Sequence, residues 1–199
     1  MARMQNIKWI AMAAAALGIA GIALPAQAQL EEVRFGVLMH DVNVTGNGAG
    51  GKEGGVNFAA ELVFASPEFL SWVGSPRPFI NGSINSDGLT NFGGVGLAWA
   101  VDFSNRFYGE IDFGVSVHDG ITELPPNPAD PVRIQLDATR VILGSDVLFR
   151  TVFALGTHLS DRWDAALVFE HLSHGQILAQ GRNEGLDNIG LRIAYKFGN

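Results

Sequence analysis

One pattern governs this chain from residue 33 to its end. Apolar residues alternate with polar or small ones at a period of two, in eight separate runs. In 33–41 Val33, Phe35, Val37 and Met39 stand against Arg34, Gly36, Leu38 and His40. The other runs lie at 56–64, 78–85, 92–103, 107–118, 147–159, 163–171 and 188–197. A period of two sends successive side chains to opposite faces of an extended strand. After residue 30 no segment carries the 3.6-residue period of an amphipathic helix. The expectation is an all-β protein of eight strands.

The two faces differ sharply. One is bulky and aromatic. The other carries Arg34, Glu61, Asp102, Glu110, Asp112, Arg150, Glu170, Arg192 and Lys196 among glycines and alanines. Charges set beside small residues suit a narrow, crowded barrel lumen. A bulky apolar exterior suits an outer-membrane barrel. The connections agree, since 104–106 and 160–162 are short while 43–54 and 119–146 are long. The 66–77 connection breaks that asymmetry, being long on the periplasmic side. The predicted fold is an eight-stranded antiparallel transmembrane β-barrel, with Phe113, Leu167 and Ile193 outward and Glu110, Arg150 and Arg192 inward. Its competitor is a soluble lipocalin-like barrel with the charged face outward, because a binary pattern does not distinguish inside from outside.

The start of the chain argues for export. Arg3 and Lys8 precede an uncharged run from Trp9 to Leu24, and Ala26-Gln27-Ala28 fits the small-residue cleavage rule. Residues 1–28 read as a signal peptide, and 29–199 as one barrel domain. Removing Arg3 and Lys8 from the 13 Lys+Arg leaves 11 against 20 Asp+Glu, a net charge of −9. That balance argues against nucleic acid as a partner. With no cysteine, stability must come from backbone pairing and packing.

The stretch FEHLSHGQ, 169–176, raises a question of chemistry. Leu167 and Phe169 are on the lipid-facing parity, so His171 and Ser173 continue on it if the pairing persists. Ile189 and Leu191 put Asp187 on the same face of the neighbouring strand. Polar groups turned toward lipid are costly unless they have a task, and these three have the composition of a nucleophile, a base and its orienter. The alternative is the ordinary polar rim of a barrel, with no catalysis at all.

At these residues the sequence resembles a known family. The run HLSHGQ…RNEGLDNIGLRIAYKF is similar to the C-terminal signature of the lipid A 3-O-deacylases, and RPFINGSINSDGLTNFGGVGLAWAVDF and FGVSVHDG also look like family segments. The family's H-x-S matches His171 and Ser173, and its N-x-G-[LI]-[ED] matches Asn183, Gly185, Leu186 and Asp187. The resemblance implies an outer-membrane esterase acting on the 3-position acyl chain of lipid A in lipopolysaccharide. It implies Ser173 as nucleophile, His171 as general base and Asp187 as the orienting acid, with Asn183 on the substrate side. The chemistry calls for no cofactor and no metal. A homodimer is left open.

Three departures from the family pattern stand out. His174 replaces the asparagine that commonly follows the serine, so the oxyanion donor is either its side chain or a backbone N–H with Gly175 allowing close approach. The acid is aspartate where some members have glutamate, with Glu184 as a rival on the other parity. The 174–183 loop is longer than usual. Elsewhere, His40 and His158 read as lumen groups and His118 as part of a structural turn. The glycines of 45–55 read as a flexible outer loop, from which Lys52 could reach a lipid A phosphate.

Overall fold

The computed structural model describes residues 29–44 and 50–197; the predicted signal peptide lies outside them. Eight antiparallel strands close into a barrel: β1 (Leu30–Met39), β2 (Val56–Phe64), β3 (Arg77–Asn85), β4 (Phe92–Asp102), β5 (Phe107–His118), β6 (Val147–His158), β7 (Trp163–Ser173) and β8 (Leu186–Lys196). Each strand pairs with its sequence neighbours, and β1 pairs with β8 from Glu32↔Lys196 to Met39↔Ile189. Closure leaves no unpaired edge, which a spanning sheet requires because lipid offers no hydrogen-bond partners.

The parity reading holds. Phe113, Leu167 and Ile193 are about half exposed on the outer wall, while Glu110, Arg150 and Arg192 are buried in the lumen. Glycine makes room inside, and a Cβ on Gly156 would lie 2.1 Å from the Tyr108 ring. Arg34 donates to Glu32, Glu61 and Glu110 at 2.8, 2.7 and 2.6 Å. Arg150 joins Glu61 and Glu170, and Arg192 joins Glu110. Burying such charges is tolerable only as a paired network, because one unpaired ion in a dry interior costs several kcal/mol, on the order of 3–5 when a partner is removed.

Two features depart from the all-strand expectation. A short helix, α1 (Pro131–Thr139), sits in the 119–146 connection. Asp130 caps it, accepting from the Val132 amide at 2.8 Å, and Pro131 opens it. None of its residues is buried, so it needed no apolar stripe and showed none in the sequence. The long periplasmic connection folds into a 3-10 turn, Glu68–Val73, closed by Gly74 at φ 91°.

The outer end of the lumen is plugged. Val141 and Leu143 from the long connection pack against Phe92, Leu148, Leu172 and Leu186. Against the plug at Val141, Glu53 gathers the outer loops, its carboxylate accepting from His40 Nε2, the Thr90 and Val141 amides and Arg140 Nε. His40 is thus an interior group, as its parity indicated, with Nε2 paired to Glu53 and Nδ1 buried without a hydrogen-bond partner among the described residues. His118 Nε2 lies 2.7 Å from the Ser145 carbonyl oxygen and its Nδ1 accepts from the Gly120 amide, which makes it part of a turn.

Candidate active site

The plug also determines what faces out. Leu172 and Leu186 have no exposed surface and are direct partners across β7 and β8. With those two locked inward, strand geometry turns their neighbours His171, Ser173 and Asp187 to the outer wall. Strand β7 runs two residues beyond the segment the sequence pattern delimits, and β8 starts two residues sooner. The three residues therefore sit on paired strand ends rather than in a loop. Asp187 is held from a third side, its carbonyl accepting from the Val42 amide at 2.8 Å.

The side chains form a hydrogen-bonded relay. His171 Nδ1 is 2.5 Å from Asp187 Oδ1, and His171 Nε2 is 3.0 Å from Ser173 Oγ. With the carboxylate accepting from Nδ1–H, Nε2 presents its lone pair to the serine hydroxyl. Gly185, at φ 73°, lies against the imidazole, and a Cβ there would come within 3.0 Å of His171 Cε1. A side chain at 185 would therefore be strained in the backbone and crowd the ring. Phe149 is the β6 partner of Ser173 and stacks on Phe113, so apolar wall adjoins the hydroxyl.

The loop that follows is built around His174. Its ring is fully buried; Nδ1 accepts from the Gln176 amide and Nε2–H donates to the Arg182 carbonyl, both at 3.1 Å. Asn183 Oδ1 accepts from the His174 amide at 3.4 Å. Gly175 follows at φ 62°, and among the described residues no acceptor takes its N–H. Of the two candidate oxyanion donors, the His174 side chain is engaged within the loop and the Gly175 amide is not.

Glu184 points elsewhere. Its carboxylate accepts from Lys52 Nζ and the Ile142 amide, both at 2.7 Å, and from Arg182, which also binds Asp137 of α1. Burial alone would raise its pKa, but the hydrogen bonds from Lys52, Arg182 and Ile142 outweigh it and hold the carboxyl below its ordinary range. The Glu184 amide in turn donates to the Ile142 carbonyl. Glu184 and Lys52 thus tie the 174–185 loop to its neighbours. Neither Ile142 nor Gly185 was identified as a support of the site from sequence. The glycine was visible in the G-L-D motif, but its contact with His171 was not.

An eight-stranded outer-membrane barrel carrying a Ser–His–Asp relay on its lipid-facing wall is the class that this fold and geometry define. The chain belongs to the lipid A 3-O-deacylase (PagL) family, whose family model matches residues 37–196. Its fold is similar to the crystal structure of the outer membrane enzyme PagL, with a TM-score of 0.55 at 13% identity, covering 82% of this chain and 98% of that one. Neisserial surface protein A (NspA) aligns with a TM-score of 0.49 at 9% identity, over 83% of this chain and 96% of its own. No curated protein matches the sequence.

Proposed function

We propose that this protein hydrolyses the ester-linked 3-position acyl chain of lipid A in the outer leaflet, by a serine-esterase mechanism. The observation that carries the reading is the His171 relay, with Asp187 at one ring nitrogen and Ser173 at the other. Its position on the lipid-facing parity favours a substrate that is itself part of the membrane. Family membership supplies the substrate class.

The chemistry follows from the hydrogen bonds. Nε2 of His171 takes the Ser173 proton as Oγ attacks the ester carbonyl, and Asp187 stabilises the imidazolium that forms. The imidazolium then protonates the departing sugar oxygen, leaving the acyl chain on Ser173. Water, deprotonated by the same nitrogen, releases the fatty acid. The negative charge on the carbonyl oxygen needs a donor aimed at it, typically worth about 3–4 kcal/mol. The Gly175 amide takes that role in this reading, because the His174 ring is engaged within the loop.

The test is release of the 3-linked acyl chain from purified lipopolysaccharide by protein folded in vesicles, read by mass spectrometry of lipid A. Wild type should remove one ester-linked chain, and folded Ser173→Ala should remove essentially none. Full activity in folded Ser173→Ala would exclude the serine, and intact lipid A with folded wild type would return the barrel to a structural role.

A further inference from the structure

The β2–β3 connection breaks the rule of short periplasmic turns, and its geometry gives the extra residues a task. Between Glu68 and Arg77 it reads FLSWVGSP, without a charge. In a 3-10 helix residues three apart eclipse, so Phe69 and Trp72 project from one face of the turn. They are 67% and 83% exposed. The turn is not hanging beneath the barrel mouth. Trp99 Nε1–H donates to the Val73 carbonyl at 2.9 Å, and Gly74 lies close against the Trp99 ring. Trp99 is on the outward parity of β4 with Leu97 and Val101, so the turn is pinned to the outer wall.

At the same end of the barrel the β7–β8 side carries an aromatic cluster. Trp163 packs on Tyr195 at 5.0 Å and Tyr195 on Phe197 at 5.2 Å, beside the four-residue β6–β7 turn. Such girdles mark the membrane–water interface of outer-membrane barrels. The Phe69–Trp72 face stands on the other side of the molecule, continuous with the lipid-facing wall through Trp99.

We infer that the Glu68–Val73 turn is an interfacial anchor, with Phe69 and Trp72 inserted among the phospholipids of the periplasmic leaflet. An indole suits that depth, apolar in its body and polar at its edge. The uncharged run lets the turn enter the interface, while Glu68 and Arg77 stay at its boundaries. The barrel is thereby held at a defined depth on the side away from the Trp163–Tyr195–Phe197 cluster.

The absence of cysteine makes the test direct. Phe69→Cys and Trp72→Cys, each keeping the other aromatic, are spin-labelled and folded into vesicles of phosphatidylethanolamine and phosphatidylglycerol. Collision with oxygen, which concentrates in lipid, is compared with collision with a water-soluble nickel chelate. Labels at Asp161→Cys in a short turn and Leu167→Cys on the wall serve as water and lipid references. Both turn labels should fall between the references, about 5–10 Å below the phosphates. Nickel access equal to that at 161 would place the turn in water and overturn the inference. Spin–spin broadening that disappears on dilution with unlabelled protein would put a second copy on this face, which also overturns it.

Discussion

His171 and Asp187 are direct partners across the β7–β8 ladder, and a 2.5 Å hydrogen bond joins their side chains on the outer wall. The Asp187 carboxylate therefore reaches the imidazole from the neighbouring strand, held by the sheet's own register. Asp187→Asn keeps the shape and exchanges the acceptor for a group that favours the other imidazole tautomer. Turnover should fall by several orders of magnitude, toward the roughly 10⁴-fold seen when a triad aspartate is so replaced. Adding Asp187→Asn to Ser173→Ala should cost almost nothing more, since such groups act as a unit. Additive losses in ester-release rates would contradict a shared mechanism.

Gly185→Ala tests the support behind the imidazole. An alanine at φ 73° is strained by roughly 1–2 kcal/mol, and its methyl would press on His171 Cε1. Turnover should fall while KM changes little, because the ring is displaced and the membrane-facing wall is not. A variant with unchanged kcat would show that the ring tolerates the contact.

The oxyanion donor is separable by two neighbouring substitutions. Gly175→Val introduces a β-branched side chain at φ 62° and should lower turnover by about a hundredfold or more. His174→Ala removes two loop hydrogen bonds and should have a several-fold effect through loop order. His174→Asn should not rescue it, because one amide does not span both the Gln176 N–H and the Arg182 carbonyl. An inactive, well-folded His174→Ala protein restored by asparagine would assign the donor to the side chain instead.

Leu167 lies at mid-height on the outer wall, opposite Leu155 and Leu191. Leu167→Arg should destabilise the barrel in vesicles by about 2–4 kcal/mol, measured by urea unfolding. Ala166, one residue away, is buried in the lumen, so Ala166→Leu should act through overpacking at roughly 1–3 kcal/mol. A costless Leu167→Arg would remove that site from the bilayer.

Glu53 makes the outer loops sensitive to acid. Burial alone would raise its pKa, but hydrogen bonds from His40, Arg140 and Thr90 outweigh it and hold the carboxyl at about 2, from 4.5. A group depressed on folding contributes fully above its unfolded pKa and loses that contribution as pH falls through the folded value. The Thr90 and Val141 amides should thus lose hydrogen-exchange protection as pH drops from about 4.5 toward about 2 while the strands stay protected. Glu53→Gln should show the loosened loops already at neutral pH. Protection at Val141 that is flat across the window would show that other contacts hold the loops.

The sequence by itself determined the strands, the division of each into an apolar and a charged face, and the shared parity of His171, Ser173 and Asp187 on the apolar one. Side-chain direction in a strand depends only on position along it, so that information is local. The H-x-S and G-L-D motifs were equally legible. Tertiary structure alone decided that His171 pairs with Asp187 and not Glu184, because cross-strand register depends on the plug that buries Leu172 and Leu186. It decided that the His174 ring turns into its own loop, a matter of where the Arg182 carbonyl and the Gln176 amide lie. Helix α1 carried a readable Asp-Pro start, but it buries nothing, so the hydrophobic pattern was silent. The fold of 66–77 was hidden for a related reason: Trp99, which holds the turn against the wall, reaches it through space from another strand, and no local period records such a contact.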